Sequence, residues 1–248
     1  HIKGPETLPL LKAAIGGLET GIGGCRLSPS TVSLDSSELT PEQNIESISE
    51  LCRQSRVSGR PVTLEMEAGV DDGVTSDALA SRLLTGVERE FPGFVHLWAP
   101  GVGTRHGLGD QDAFSAVAVA RHHRLASEIA GRPVGIALHG SSGLSSEALR
   151  SAVEAGVCKV NWSSESLWIR SQAARHFFAE HSAALVKGHP DWKATAMDNG
   201  LQSFVAARYQ PAVVERIRLL GAEGRAEECR IALTTGCAAT GTAAPSLA

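Results

Sequence analysis

The chain has 248 residues, a formal net charge of -4, and 42% hydrophobic and 20% charged residues. That charge gives no electrostatic reason to bind nucleic acid or an anionic membrane, and no apolar run approaches the ~20 residues of a membrane span. The five cysteines (Cys25, Cys52, Cys158, Cys229, Cys237) are odd in number and widely spaced, with no Cys-x-x-Cys pair. They fit free thiols in a reducing cytoplasm better than a disulfide framework or a zinc knuckle.

The first residue is His1 and no signal-peptide pattern follows it, so the natural sequence is expected to continue upstream. Pro5 suits a first helical position, and Leu8, Leu11, Ile15 and Leu18 space as one helical face up to Thr20-Gly21. Residues 21–30 read as a loop. Residues 31–35 alternate like a strand. Thr40-Pro41 then opens a helix to about Gly59, with Thr40 as N-cap, Pro41 at N1 and Gln43 in the capping-box position. Residues 61–67 read as a strand, followed by a helix capped near Thr75 or Ser76 that runs to Glu90. Residues 94–98 are a strand with a glycine-rich tip, residues 99–109, and a helix spans Asp112 to Ala130. A buried strand from Val134 to Leu138 ends in the polar tip 139–143. A capped helix from Ser145 or Ser146 to about Ala155 leads to a short strand near residue 158 and a second polar tip at Asn161. Helical segments are expected over 166–186 and 201–220. The last ten residues, without periodicity, are expected to fray.

Strands thus begin near residues 31, 62, 94, 134 and 158, each followed by a helix, which predicts a parallel sheet. Five units are too few to close an eight-stranded barrel of about 250 residues. The sheet is either open and doubly wound, or a barrel with three strands missing from its front. Polar groups gather at the expected strand ends: Glu67, His106, His139 and Asn161, with His1 before the first helix. Three histidines and a carboxylate on separate strand ends form a set that a catalytic zinc-type ion uses.

The motifs narrow this further. Leu138-His-Gly-Ser-Ser-Gly143, followed by Ala155-Gly-Val-Cys-Lys-Val-Asn161, resembles the H-G-G-S-G and G-V-x-K-I-N or G-V-x-K-M-N signatures of the class II, metal-dependent ketose-bisphosphate aldolases. Leu64-Glu-Met-Glu-Ala-Gly69 is similar to that family's L-E-x-E-L-G, Gly103-Thr-Arg-His-Gly107 to its G-N-x-H-G or G-T-x-H-G, and Val32-Ser-Leu-Asp-Ser-Ser37 to its D-G-S or D-L-S strand end. The resemblance covers residues 1–220 and implies a TIM (β/α)8 barrel of which the chain holds the last five strands. Residues 221–248 are then a C-terminal extension.

The resemblance implies that His1, His106 and His139 are metal ligands for zinc or another divalent ion, with Glu67 as an alternate ligand and a monovalent cation as a further partner. It places Gly107, Gly140, Ser142 and Ser164 at the substrate phosphate, with Ser163 beside them, and Asn161 at the reacting carbons. The expected proton donor is an Asp immediately before His1. The longer family loop that carries a Glu base is replaced by Val70-Asp71-Asp72, which leaves Asp71 as the candidate base, or Glu67 if it swings off the metal. Leu108-Gly-Asp-Gln replaces a lysine-bearing stretch. The arginine for a distal phosphate has no clear match: Ser203 falls there, with Arg208 nearby. Arg105 stands where the family has a small or apolar residue, and is expected to read a carboxylate or phosphate. Asp35-Ser36 is expected to line the site or orient a metal-binding histidine. His122 and His123, mid-helix, read as structural or surface positions, and Trp162 and Trp168 as packing residues. The implied activity is a metal-dependent aldol cleavage or condensation of a sugar phosphate by a homodimer or larger assembly. An isomerase or epimerase on the same scaffold, and an inactive aldolase-like subunit, are the alternatives.

Overall fold

The computed structural model describes residues 7–19, 26–36, 38–59, 62–69, 71 and 73–231. His1 lies outside the described residues. By internal contacts the chain divides into two compact units, residues 1–165 and 166–248.

The first unit opens with α1 (Thr7–Gly16), which ends before Leu18, the last residue read onto its apolar face. Leu18–Glu19 instead form β1, paired antiparallel with β2 (Arg26–Leu27) from the stretch read as a loop. Five strand-helix units then follow: β3 (Thr31–Ser33), α2 (Pro41–Ser58), β4 (Thr63–Glu67), α3 (Asp77–Glu88), β5 (Val95–Ala99), α4 (Ala116–Ala130), β6 (Gly135–Leu138), α5 (Ser146–Glu154), β7 (Val157–Val160) and the start of α6 (Ser164–Glu180). The strands pair in parallel in chain order, β3-β4-β5-β6-β7. All five lie where the hydrophobic runs placed them.

The caps explain the helix starts. Thr40 accepts from the Gln43 amide while Gln43 Oε1 accepts from the Thr40 amide, closing the expected capping box. Ile48, Leu51, Cys52 and Ser55 form the buried stripe of α2 at helical spacing. Ser76 and Ser145 cap α3 and α5. α4 begins four residues later than the predicted Asp112. Residues 111–115 are instead tied down as a loop, with the Ser115 amide on Val102 O at 2.9 Å and the Ser115 hydroxyl capping the helix at Ala118. Among the described residues no helix is long and apolar enough to cross a membrane.

β4 shows how the sheet makes room for chemistry. Side chains alternate along a strand, so Leu64 and Met66 share one face and Glu65 and Glu67 the other. All four are buried. Lys159 on β7 reaches Glu65 on β4 at 2.7 Å although two strands lie between them. At about 4.8 Å per strand spacing, a flat sheet would hold β4 and β7 roughly 14 Å apart. The sheet therefore curls, and Glu65 and Lys159 meet on its concave face, as the inward residues of a barrel do.

The second unit holds the rest of α6, a 3-10 turn (Ser182–Leu185), α7 (Trp192–Ala196) and α8 (Asp198–Leu219). α6 is shorter than its predicted 166–186, and α7 was not predicted. α8 starts three residues before its predicted position and runs through Pro211. Phe177 packs against Phe204 and His181, with ring centroids 5.4 and 4.4 Å apart, and Arg208 lies 3.4 Å over the Phe204 ring. Trp168, expected to pack, is about half-exposed.

Candidate functional site at the strand ends

The carboxyl ends of β5, β6 and β7 open onto a cavity of about 670 Å³. His106 and Gly107 line it from the β5 tip, His139 to Ser142 from the β6 tip, and Lys159 to Ser164 from β7 and its tip. Eight residues singled out from sequence thus meet in one place: His106, Gly107, His139, Gly140, Ser142, Asn161, Ser163 and Ser164. The rings of His106 and His139 stand 6.0 Å apart, centroid to centroid.

Each ring is held by a carboxylate. Asp71, on the loop after β4, accepts from the His106 amide at 2.8 Å and pairs through its other oxygen with His106 Nδ1 at 3.0 Å. Burial alone would raise the Asp71 carboxyl, but the two hydrogen bonds from His106 outweigh it and lower it. The predicted base is thereby a residue that grips a site histidine. His139 Nε2 lies 2.8 Å from Glu65 Oε1, and His139 Nδ1 lies 3.9 Å from Glu67 Oε1. Glu65 is fully buried. Burial pushes its carboxyl up, yet the bond to His139 and the Lys159 ammonium prevail and hold it at about 2.

The tips brace one another. Thr104 donates from its hydroxyl to the His139 carbonyl at 2.8 Å, and Ser141 donates to the Asn161 carbonyl at 2.7 Å. Ser142 Oγ accepts from the Glu165 amide at 3.1 Å, so this predicted phosphate contact caps α6 and explains its early start at Ser164. Gly140, at φ +64°, sits where a Cβ would fall 2.7 Å from the Arg105 carbonyl oxygen. Trp162 Nε1 donates to Glu165 Oε2 at 2.7 Å.

Arg105 contributes its backbone. Its side chain is exposed and is not among the residues lining the cavity, while its amide and carbonyl are both taken by the Gln111 side chain at 2.9 Å. Gln111 also donates to the Ser142 carbonyl at 3.0 Å, fastening the β5 tip to the β6 tip. Gln111→Ala leaves the buried Ser142 carbonyl and the part-buried Arg105 amide and carbonyl without this partner and is expected to cost about 1–2 kcal/mol. Urea unfolding checks this, and a midpoint equal to the parent's would contradict it. Ser36 donates to the Glu67 carbonyl at 2.6 Å, and Asn44 Nδ2 donates to both groups at 2.8 Å. Ser36 thus clamps the end of β4. His122 is buried in α4, with Nε2 3.0 Å from the Thr75 carbonyl.

Sequence reasoning missed Glu65, Lys159, Thr104 and Gln111. Glu65 and Lys159 had a signal, since each lies two residues before a chosen strand-end residue and so shares its face. Gln111 had none.

A curled parallel sheet with its polar cluster at the carboxyl ends of the strands makes this an α/β-barrel protein in part. Residues 22–225 match the family "Fructose-bisphosphate aldolase class-II", and the chain belongs to that family. A fructose-bisphosphate aldolase of Streptococcus pyogenes is 26% identical over 199 residues, covering 79% of this chain and 66% of the relative. The chain therefore spans about two thirds of the length of such relatives. Among solved structures, the fructose-bisphosphate aldolase of Campylobacter jejuni superposes with a TM-score of 0.68 at 18% identity, over 88% of this chain and 68% of that one. The YdjI aldolase of Escherichia coli K12 does so with 0.58 at 22%, over 79% and 63%. These two likenesses concern the fold.

Proposed function

We propose that the chain carries the larger part of a divalent-metal-dependent lyase that makes and breaks an aldol bond in a sugar phosphate. The observation that carries this is the pair His106 and His139 at one cavity, each with one ring nitrogen committed to a carboxylate. Metal-binding imidazoles are held in that way, with the far nitrogen fixed so that the near one faces the ion. Among the described residues no three such side chains converge on one point. The proposed set is completed by His1.

When bound, the ion supplies Lewis-acid polarisation of a ketone oxygen. The chain's own residues do the rest. The tips at Gly140–Ser142 and Ser163–Ser164, beside the starts of α5 and α6, hold the donor phosphate with Gly107. Asn161 contacts the reacting carbons. Asp71 has both oxygens engaged on His106, so Glu67 is assigned the proton beside the carbonyl, and Asp71 keeps His106 in place. The donor is a dihydroxyacetone-phosphate-like ketone. A cytoplasmic homo-oligomer is the expected form, in keeping with Cys52, Cys158 and Cys229 being free thiols.

Deuterium exchange into dihydroxyacetone phosphate, followed by product analysis with a panel of aldehydes, tests this reading. With zinc present the expected result is exchange and a new carbon-carbon bond, both lost on chelation. Glu67→Gln is expected to abolish exchange while zinc still binds, and Asp71→Asn to weaken zinc binding instead. If the chain takes up no divalent ion and supports no exchange, the proposal fails. Exchange without a new carbon-carbon bond would point to an isomerase.

A further inference from the structure

Four side chains on the concave face close a ring. Glu65 Oε1 lies 2.8 Å from His139 Nε2, Glu65 Oε2 lies 2.7 Å from Lys159 Nζ, Lys159 donates to Asn161 Oδ1 at 2.7 Å, and Asn161 Nδ2 lies 2.9 Å from His139 Nε2. Two of these contacts compete for one atom. With its hydrogen on Nε2, His139 donates to Glu65, and the Asn161 amide nitrogen meets an N–H to which it cannot bond. With its hydrogen on Nδ1, Nε2 accepts from Asn161 but turns a lone pair onto a carboxylate oxygen. Reversing the Asn161 amide does not relieve the conflict, because its nitrogen would then face the Lys159 ammonium.

Magnitudes decide between the two. Glu65 is fully buried and its second oxygen faces the Lys159 ammonium at 2.7 Å, so the pair stands as carboxylate and ammonium. The Glu67 carboxylate, by contrast, lies 3.9 Å from Nδ1, beyond hydrogen-bond reach. A hydrogen bond to an ionised acceptor is about twice as strong as a neutral one, and an anion facing a lone pair in a dry interior is uncompensated. The Nε2–H form wins.

We infer that Glu65, anchored by Lys159, is a positioning residue that selects the Nε2–H tautomer of His139 and so presents Nδ1 as its cation-binding nitrogen. The same choice denies Asn161 a bond to His139 and keeps its NH2 group available to a ligand in the cavity. What Nδ1 binds rests on the aldolase reading; the tautomer rests on the ring of contacts alone.

Long-range proton-nitrogen spectra of the metal-free chain test the tautomer, with the His139 signals assigned by their loss in His139→Gln. Zinc affinity is measured in parallel by competition with a chromophoric chelator. The expected result is an Nε2–H ring at His139 in the parent chain. In Glu65→Leu, with Lys159 still holding Asn161 Oδ1, the Asn161 NH2 group becomes the remaining partner of Nε2. His139 is then expected to move to the Nδ1–H form, with zinc bound about 10- to 100-fold more weakly. A merely structural role would leave the tautomer unmoved. An Nδ1–H or doubly protonated His139 in the parent chain overturns the inference, as does a Glu65→Leu variant with the parent's tautomer and zinc affinity. If Glu65→Leu does not fold, Glu65→Gln replaces it. Its oxygen stays on the Lys159 ammonium and its NH2 group turns to Nε2, so His139 should again move to Nδ1–H; retention of Nε2–H with the parent's zinc affinity overturns the inference. A parent chain that shows Nε2–H yet binds no zinc would sink the aldolase reading, while the spectrum still decides the tautomer.

Discussion

Alanine at Gly103 is expected to lower the melting temperature by roughly 6–12 °C and, under the proposed metal-binding role, to weaken zinc binding at the same time. Gly103 opens the tip that carries Thr104, Arg105 and His106, and its φ is +86°. An added Cβ would fall 1.9 Å from the Ala113 carbonyl oxygen and 2.6 Å from its carbon. Both atoms are backbone, so no side chain can swing aside. The obstructing segment is itself held, with the Phe114 amide on Gln111 O at 3.0 Å and the Ser115 amide on Val102 O at 2.9 Å. Left-handed backbone costs alanine about 1–2 kcal/mol, and separating two backbone segments adds a comparable amount, for a total near 3 kcal/mol. In a domain of this size each kcal/mol is worth about 2–4 °C. The zinc effect arises because Thr104 braces the His139 carbonyl and His106 follows two residues later. Calorimetry and chelator competition on the same sample check both parts. A melting temperature within 2 °C of the parent's would show that the tip yields more readily than its contacts imply.

The elements with local causes were legible in the sequence. Thr40, Pro41 and Gln43 state a helix start in three residues, and the runs at 62–66 and 134–138 state buried strands by composition alone. Glu67, His106, His139 and Asn161 were legible as strand-end polar groups because the runs fix where each strand stops. Partnerships made by curvature were not. Glu65 and Lys159 lie 94 positions apart on strands that are not neighbours, and only the curl of the sheet brings them to 2.7 Å. Asp71 was singled out as a carboxylate near a base position, yet its bond to His106 depends on the paths of two loops. Gln111 acts on backbone groups 6 and 31 residues away, which no side-chain pattern records. The start of α6 was misplaced for a related reason: the group that caps Glu165 is Ser142, from another tip.

Removing Glu88 should separate stability from the site, because it works at the opposite end of β5. Glu88 is the last residue of α3 and is 8% exposed. Its carboxylate accepts from the Gly93 amide at 2.8 Å, the Val95 amide at 3.1 Å and Arg132 at 2.7 Å, and Arg132 donates onward to the Val95 carbonyl at 2.6 Å. Glu88→Ala strands two amides and leaves a guanidinium without its counter-charge. Breaking a fully buried pair in this way costs about 3–5 kcal/mol. Arg132 keeps 27% of its side chain in solvent and recovers some hydration there, so the lower end, about 3 kcal/mol, is expected. Glu88→Gln retains an acceptor oxygen and loses the charge, so it should cost roughly half as much. Both clamps act at the amino end of β5, whereas His106 and Gly107 follow its carboxyl end. In barrels of this kind the two ends divide stability from chemistry. Zinc affinity at 15 °C, well below unfolding, is therefore expected to stay within twofold of the parent's in both variants. A parallel fall in affinity at that temperature would mean that the amino-end clamp also sets the position of the site histidines.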